Sequence, residues 1–401
     1  MHVVVLGAGV VGVATAYYLS QAGYDVTVVD RESEAGNGAT FGNAGQLSYS
    51  FTDALAKPGF IAHLPGMILG RDPGSKVRLS PELINWGLRF LAQCTTSKAR
   101  DNTLAVLKLA MRSAGLIADI RRRAPFEFHY RPAGKLVLLS NTDELDAARA
   151  SSELKNRNGC NALVLSRDEA IAIEPALDNM SDEFIAAVYS ETDEVADSQR
   201  FTAGLKDWLE QQGVVFRLST EVDRLLLHDG RAQGVIAGDD QIEADAVVVC
   251  LGAWSRNILR GVGIDPQIMP ARGYSITLPP GPSAPEVSVT ALRHKMVYSR
   301  IDGFVRIAGF VDFTGFDTSD DDERVRLLSQ TAERYAPQAA DYDSDDAISW
   351  GGFRPMTPNG KPRVGPTRVP GLYLNTGHGM LGWTLACATA YDAAQAIASV
   401  H

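Results

Sequence analysis

Four consecutive apolar residues, Val3 to Leu6, open the chain and predict a buried strand. Glycines at 7, 9 and 12 follow, then a helix with Ala16 and Leu19 on its sheet-facing side and Gly23 at its end, then a second strand from Tyr24 to Val29 that stops on Asp30. Apolar residues then recur at three- and four-residue steps over Pro81 to Ala92 and Asn102 to Arg123, the pattern of two helices. Strand character runs from Phe126 to Leu139, broken at Pro132 and Gly134, and a helix near Asp143 to Arg157 precedes extended runs around Leu163 and Phe184 to Tyr189. From Ser198 a helix to Gln212 leads to a strand at Val214 to Leu218, strand pairs across Asp229-Gly230 and Gly238-Asp239, and a buried strand from Ala246 to Cys250. Pro270 to Leu278 and Met296 to Phe310 read as antiparallel strands, the latter pair turning at Asp302-Gly303. Acids from Asp317 to Glu323 cap a helix to Tyr335, and a strand at Gly371 to Asn375 feeds an Ala-rich helix ending near Val400. Strand–helix alternation at both ends, around an antiparallel middle, predicts an α/β chain with an α+β part.

The first thirty residues form a complete dinucleotide-binding unit. Gly7 permits the tight turn, Gly9 lets the backbone approach a pyrophosphate, and Gly12 lets the helix lie close to the strand. The helix opens on the phosphate with free N–H groups, and Asp30 is placed for a ribose diol. No charge occurs from Met1 to Tyr24, which is long enough for a membrane span, but glycines at a turn and a helix end and the lack of a basic flank argue against a span or signal peptide.

At 401 residues the chain exceeds the usual single core, so two domains, possible as interleaved pieces, are expected. A net charge of −10 disfavours nucleic acid, and Arg121-Arg122-Arg123 suits a helix C-terminus better than a polyanion. Cys94, Cys160, Cys250 and Cys387 are scattered, which supports neither a metal site nor a disulfide framework and fits a reducing cytoplasm. The apolar run Pro58 to Gly70, broken by Pro65 and Gly66, reads as a packed loop in preference to a membrane-seeking one.

A second glycine-rich constellation closes the chain: WGGFRPMTPNG from Trp350 to Gly360, then GHGMLGW from Gly377 to Trp383 at the start of the last helix. A glycine loop feeding a helix N-terminus stabilises negative charge, as a reduced flavin requires near its N1 and C2=O. Together with the N-terminal unit, GATFGNAGQLS and PARGYSITLP, these motifs resemble the FAD-dependent D-amino-acid oxidase superfamily, most closely its bacterial D-amino-acid dehydrogenase branch. The resemblance implies a glutathione-reductase-type FAD-binding Rossmann domain (1–80, 190–268 and 345–401) interleaved with an antiparallel-sheet substrate domain bearing a helical insertion (81–189 and 269–344). It implies oxidation of a D-amino acid, through an imino acid, to a 2-oxo acid and ammonia, with electrons passing to a quinone or other acceptor. The expected partners are therefore a small amino acid and that acceptor, with cytoplasmic location and peripheral contact on the inner face of the cell membrane. A secondary amine such as D-hydroxyproline, D-proline or sarcosine is the alternative substrate, and a non-catalytic flavin electron-transfer subunit the alternative of another class.

Carried onto this chain, the resemblance places the cofactor on Gly7, Gly9, Val10, Val11 and Gly12; on Asp30 and Arg31; on Gly38, Ala39, Asn43, Ala44, Gly45, Gln46 and Leu47; on Val222, Gly252 and Trp254; and on Gly377, His378, Gly379, Met380, Leu381, Gly382, Trp383 and Thr384. Asp30 stands where many relatives have Glu, and Asn359 where they often have Asp. No cysteine lies near Phe353 or Arg354, so FAD is expected to be non-covalent. Arg354 matches the arginine that grips the substrate carboxylate. Its local sequence agrees, because Pro355 forces it extended and Gly351-Gly352 leave room, although a structural salt bridge is the competing role. Tyr274 and Tyr298 are candidates to cover the ligand, Tyr49 to lie on a mobile lid, and His378 to be a hydrogen-bonding residue of the flavin loop, not a proton shuttle. Arg272, Arg300 and Arg306 offer a second carboxylate contact only if their strand faces permit it.

Overall fold

Two sheets organise the chain in a computed structural model that describes residues 1–180 and 183–400. In the first, His2–Leu6 lies between Asp25–Val29 and Ala246–Val249, all parallel, with Val215–Arg217 and Leu372–Thr376 beyond them and Arg363–Pro366 antiparallel at one edge. The opening strand is continuously apolar because both of its faces are covered. Val3 and Val5 pack under the helices Val10–Gln21 and Gly382–Ala398. Val4 and Leu6 meet Leu225, Val235 and Ile242 of a three-stranded meander, which turns at Asp229-Gly230 and Gly238-Asp239.

The second sheet runs, in spatial order, Ile348–Met356, Met269–Leu278, Phe304–Phe313, Met296–Ile301, Ser288–Ala291, Lys135–Leu139, Ala186–Ser190 and Ala162–Ser166, with Ser75–Val77 added beside Phe304–Phe313. It is mostly antiparallel, with a parallel pairing between Ser288–Ala291 and Lys135–Leu139. Its two faces differ in kind. Tyr274, Ile276, Leu136, Leu138, Tyr298 and Ile307 pack beneath the helix Asp321–Tyr335 through Leu328 and Ala332. The alternate positions Lys135, Ser275, Ser288, Thr290 and Ser299 are buried and polar, and belong to the opposite face.

Several expectations change. Of the stretch Phe126 to Leu139 only Lys135–Leu139 is a strand, because Pro132 lacks an N–H for the ladder and Gly134 turns the chain at φ +69°. Pro58 to Gly70 is not a loop: it forms a 3₁₀ turn, Pro58–His63, and a short helix, Leu64–Ile68, which begins with Pro65 in its first turn. The helix Thr96–Arg123 packs on Gly382–Ala398 and shares the first sheet's core through Val106, Ala110 and Ile117, while Ile348–Met356 and Ser75–Val77 belong to the second sheet. Those three stretches thus pack opposite to the segment boundaries drawn from the sequence.

A buried ion pair fixes the helix to the second sheet. The Asp312 carboxylate, 1% exposed, accepts from Arg324 Nε at 2.7 Å and Nη2 at 2.8 Å, from the Tyr274 hydroxyl at 2.9 Å and from the Lys76 N–H at 2.8 Å. Removing one partner of such a pair leaves a buried charge uncompensated. Arg324→Met is expected to lower stability by about 3–5 kcal/mol, measured by chemical denaturation; a loss within that of an exposed substitution would show the pair to be dispensable.

Candidate active site

Gly7 turns the chain at φ +104°, and a Cβ there would sit 2.8 Å from the Cys250 carbonyl oxygen. At Gly12 a Cβ would lie 1.8 Å from the Gly7 carbonyl oxygen, so this residue alone permits the helix to approach the strand. Gly9 caps the helix with no side-chain acceptor and no acid in the first turn, which leaves the positive end of the helix dipole uncompensated. The Val10 N–H donates to Thr40 Oγ1 at 3.1 Å, tying the following loop to this turn, and Val11 is half-buried beside it. Asp30 braces the cradle: Oδ2 accepts from the Ala8 N–H at 2.5 Å and Oδ1 from the Glu32 N–H at 2.9 Å. Burial raises its carboxyl pKa. Beneath the cradle, burial pushes the Cys250 thiol up to about 12, which keeps it protonated.

The two glycine-rich ends meet. Asn43 Nδ2 donates to Ser198 Oγ at 2.5 Å and Asn43 Oδ1 accepts from the Gly45 N–H at 2.7 Å, which shapes the loop before Gln46. The Ser48 N–H then donates to Thr384 Oγ1, in the first turn of the last helix, at 3.0 Å, while Asn375 Nδ2 reaches Thr15 Oγ1 at 2.9 Å. Gly38 and Ala39 are exposed at the rim and Ala44 is half-buried. Gly252 and Gly377 take positive φ, and a Cβ at Gly377 would meet Thr357 at 2.8 Å. Arg31 lies 4.2 Å over the Trp254 ring, which itself stacks on Phe316.

Some expected cofactor side chains point elsewhere. Leu47 is fully buried in the helical core, and Trp383 packs against Phe201 at 4.7 Å between centroids. Val222 packs under the meander, while Met380 is 55% exposed and Leu381 is only half-buried, leaning on the helical core. His378, just ahead of the last helix, bonds to Thr389 Oγ1 of that helix at 2.9 Å, and burial drops its pKa to about 3, so it is neutral and turned inward. Tyr49 is buried with its hydroxyl on Glu194 at 2.7 Å, which corrects the lid expectation.

Arg354 pairs with Ala271 across the strands, and its guanidinium lies over Gly273, where a Cβ would be 2.4 Å from Cζ. Gly352 is as restricted, by the ring of Trp350. Nη1 donates to the Phe310 carbonyl at 2.6 Å, and Phe310 holds φ +59°, a conformation that costs a bulky residue of order 1–3 kcal/mol. Among the described residues Arg354 forms no ion pair, since both oxygens of nearby Asp312 are held by Arg324. Protein packs around it closely enough to pull its pKa down to about 10, yet part of its surface stays accessible. The other arginines are engaged: Arg272 with Asp321, Arg300 with Glu286, and Arg306 with Asp197, Thr277 and the Asn43 carbonyl.

Tyr274 and Tyr298, expected over the ligand, lie on the helix-covered face. The first bonds Asp312, and the second, wholly buried, bonds the Ala332 carbonyl at 3.3 Å. Phe310, Asp312 and Lys135 escaped sequence reasoning. An acid inside the apolar run Val305 to Phe313 was the available signal for Asp312. In the cradle, a Cβ at Gly9 would meet only Thr40 Oγ1, at 3.4 Å, so the protein tolerates a larger residue there and a bound pyrophosphate does not. Gly9→Val is expected to fold normally and to release no dinucleotide on denaturation; wild-type content in the variant would move the cofactor elsewhere.

Residues 2–396 match the family model described as FAD dependent oxidoreductase (DAO). The chain is 39% identical over 402 residues to D-amino acid dehydrogenase 2 of Ralstonia nicotianae, covering 97% of this chain and 95% of that protein. It is 38% identical over 395 residues to D-amino acid dehydrogenase of Paramagnetospirillum magneticum, covering 96% and 92%. Among solved structures it is similar to L-proline dehydrogenase from P. horikoshii, with TM-score 0.78 at 21% identity over 100% of this chain and 93% of that one. Glycine oxidase from Bacillus cereus aligns with TM-score 0.74 at 19% identity over 100% and 95%. The open space beside Gly9, the helix N-terminus left without a side-chain cap and the second glycine loop that converges on it are a lining that fits FAD. The chain belongs to the DAO family of FAD-dependent oxidoreductases.

Proposed function

We propose that this chain oxidises a D-amino acid held by its carboxylate on Arg354, with FAD as the primary electron acceptor. The observation that carries the reading is a half-buried guanidinium with one backbone acceptor and, among the described residues, no acid paired to it. The bond to Phe310 orients the guanidinium plane and leaves its remaining N–H donors for a bidentate carboxylate contact. Gly273 and Gly352 keep the space beside it clear. When bound, FAD accepts the hydride equivalent from the substrate Cα at its N5. His378, neutral and bonded inward, takes no part as a base, so the protein contributes alignment and the amine reacts in its neutral form. The released imino acid hydrolyses to a 2-oxo acid and ammonia. The relatives' names favour the D series.

Anaerobic mixing with D- and L-amino acids, proline analogues and sarcosine tests this, with bleaching of the flavin band as readout. Arg354→Met is expected to slow reduction by about 10²–10³-fold at limiting substrate, as two charge-assisted bonds are lost. Undiminished reduction in that variant would reassign Arg354 to structure.

We further infer that electrons leave to a quinone dissolved in a lipid bilayer that the protein touches. Among the described residues no helix is long and apolar enough to cross a membrane. Ile84, Leu88 and Leu91 instead form an exposed stripe on the helix Pro81–Leu91. Ile61, Ile68 and Leu69 are exposed on the neighbouring turn and helix, packed to it through Phe60 and Phe90 at 5.0 Å. Exposed Lys57, Arg71 and Lys98 flank these segments in sequence although the chain is acidic overall, a match for anionic lipid. Ile68→Ser with Leu88→Ser is expected to abolish flotation with anionic vesicles while leaving flavin reduction unchanged; flotation equal to wild type would count against the surface.

A further inference from the structure

Lys135 is a buried cation that the clamp and the nucleotide cradle do not use. It begins a strand whose other alternation, Leu136 and Leu138, lies in the apolar core, and only 2% of Lys135 is exposed. Its cross-strand neighbours are Ser190 on one side and Ser288 on the other. Burying an ammonium is costly unless specific acceptors meet it. Here the acceptors are Gln46 Oε1 at 2.9 Å and Ser48 Oγ at 2.7 Å, with the Phe51 ring 4.4 Å away. Both hydrogen-bond partners belong to one short segment.

We propose that Lys135 is a positioning residue for the cofactor-facing segment, its ammonium fixing the orientation of the Gln46 carboxamide and the path of residues 46–48 beside the flavin. This rests on the reading above that the Asn43–Leu47 loop faces FAD.

A carboxamide presents an acceptor at one end and donors at the other, and symmetrical surroundings leave its sense undecided. An ammonium can only donate, so it forces Oε1 toward itself and turns the NH₂ to Ser288 Oγ, where the structure places it. The same amine holds Ser48, whose N–H bonds Thr384 Oγ1 in the first turn of the last helix. Thr384 Oγ1 in turn lies 3.5 Å from the Gln46 carbonyl. One buried donor therefore ties strand, loop and helix together where the two glycine-rich ends meet.

The charges around Lys135 are compensated in pairs. Asp193 attracts it, with its carboxylate held by the Ser50 N–H at 3.1 Å and the Ser50 hydroxyl at 2.9 Å, and Lys155 repels it but is itself paired with Asp53 at 2.7 Å. Burial dominates and pulls the amine from 10.5 down to about 8. Above that pH a neutral amine can also accept, and Gln46 is no longer held in one sense. Because the unfolded chain keeps the ordinary amine value, it binds more protons between pH 8 and 10.5, so stability rises with pH across that window.

The visible spectrum of the FAD-loaded protein, titrated from pH 6 to 10 without substrate, tests the assignment. A flavin-band transition with midpoint near 8 that disappears in Lys135→Met supports it. Superimposable titrations of wild type and variant overturn it. Should Lys135→Met fail to fold, Gln46→Leu removes an acceptor while leaving the amine, and the midpoint must then fall; an unmoved midpoint overturns the assignment. No amino acid enters this measurement, so a chain that oxidises none of the panel still gives a readable result.

Discussion

The proposed site depends on a half-buried guanidinium that has no counter-ion among the described residues. Arg354 has Asp312 as a neighbour, and a direct pair would neutralise both, but Arg324 occupies both carboxylate oxygens and Tyr274 shares one of them. Satisfying Asp312 completely is thus what leaves Arg354 charged and available. A desolvated cation is costly to the apo fold. On the proposed reading, a ligand carboxylate would repay that cost directly and turn it into binding selectivity for acids. Phe310 contributes in the same way: its left-handed backbone is unfavourable, and it aims the one carbonyl that orients the guanidinium.

The second sheet serves two purposes through its period of two. Odd and even positions of the same strands face either the helix Asp321–Tyr335 or the loops that follow the first βαβ unit. The helix side is mostly apolar around the buried Asp312–Arg324 pair and supplies the stability. The loop side is lined with Ser275, Ser288, Thr290, Ser299 and Lys135, all buried and polar. Polar atoms there are tolerated because most bond one another or the loop; the Thr290 hydroxyl is one that finds no protein partner.

What was legible in the sequence follows from how local each cause is. The reasons for Gly7, Gly9 and Gly12 lie within a thirty-residue unit, and those for the extended setting of Arg354 lie in its immediate neighbours Gly351, Gly352 and Pro355. Tyr274 and Tyr298 were misplaced because alternation tells which residues share a face but not which face a distant helix covers. Nothing in the neighbouring sequence marks Lys135 as buried. Its burial depends on residues 46–51, some ninety positions earlier, folding over the strand end. Pro58 to Gly70 failed for the opposite reason: Pro65 was read as a breaker although proline in a first helical turn is favourable.

The loops between the first strands and the long helices have little apolar core of their own, and their order comes from bonds across the molecule. Ser48 to Thr384, Asn375 to Thr15, and Lys135 to Gln46 and Ser48 each join segments more than eighty residues apart in sequence. Such long closures are costly in chain entropy, and a ligand touching both glycine-rich ends offsets that cost only when every closure is made. A polar network at this junction, unlike an apolar one of equal size, holds only one arrangement of donors and acceptors, which is the geometric precision that hydride transfer demands.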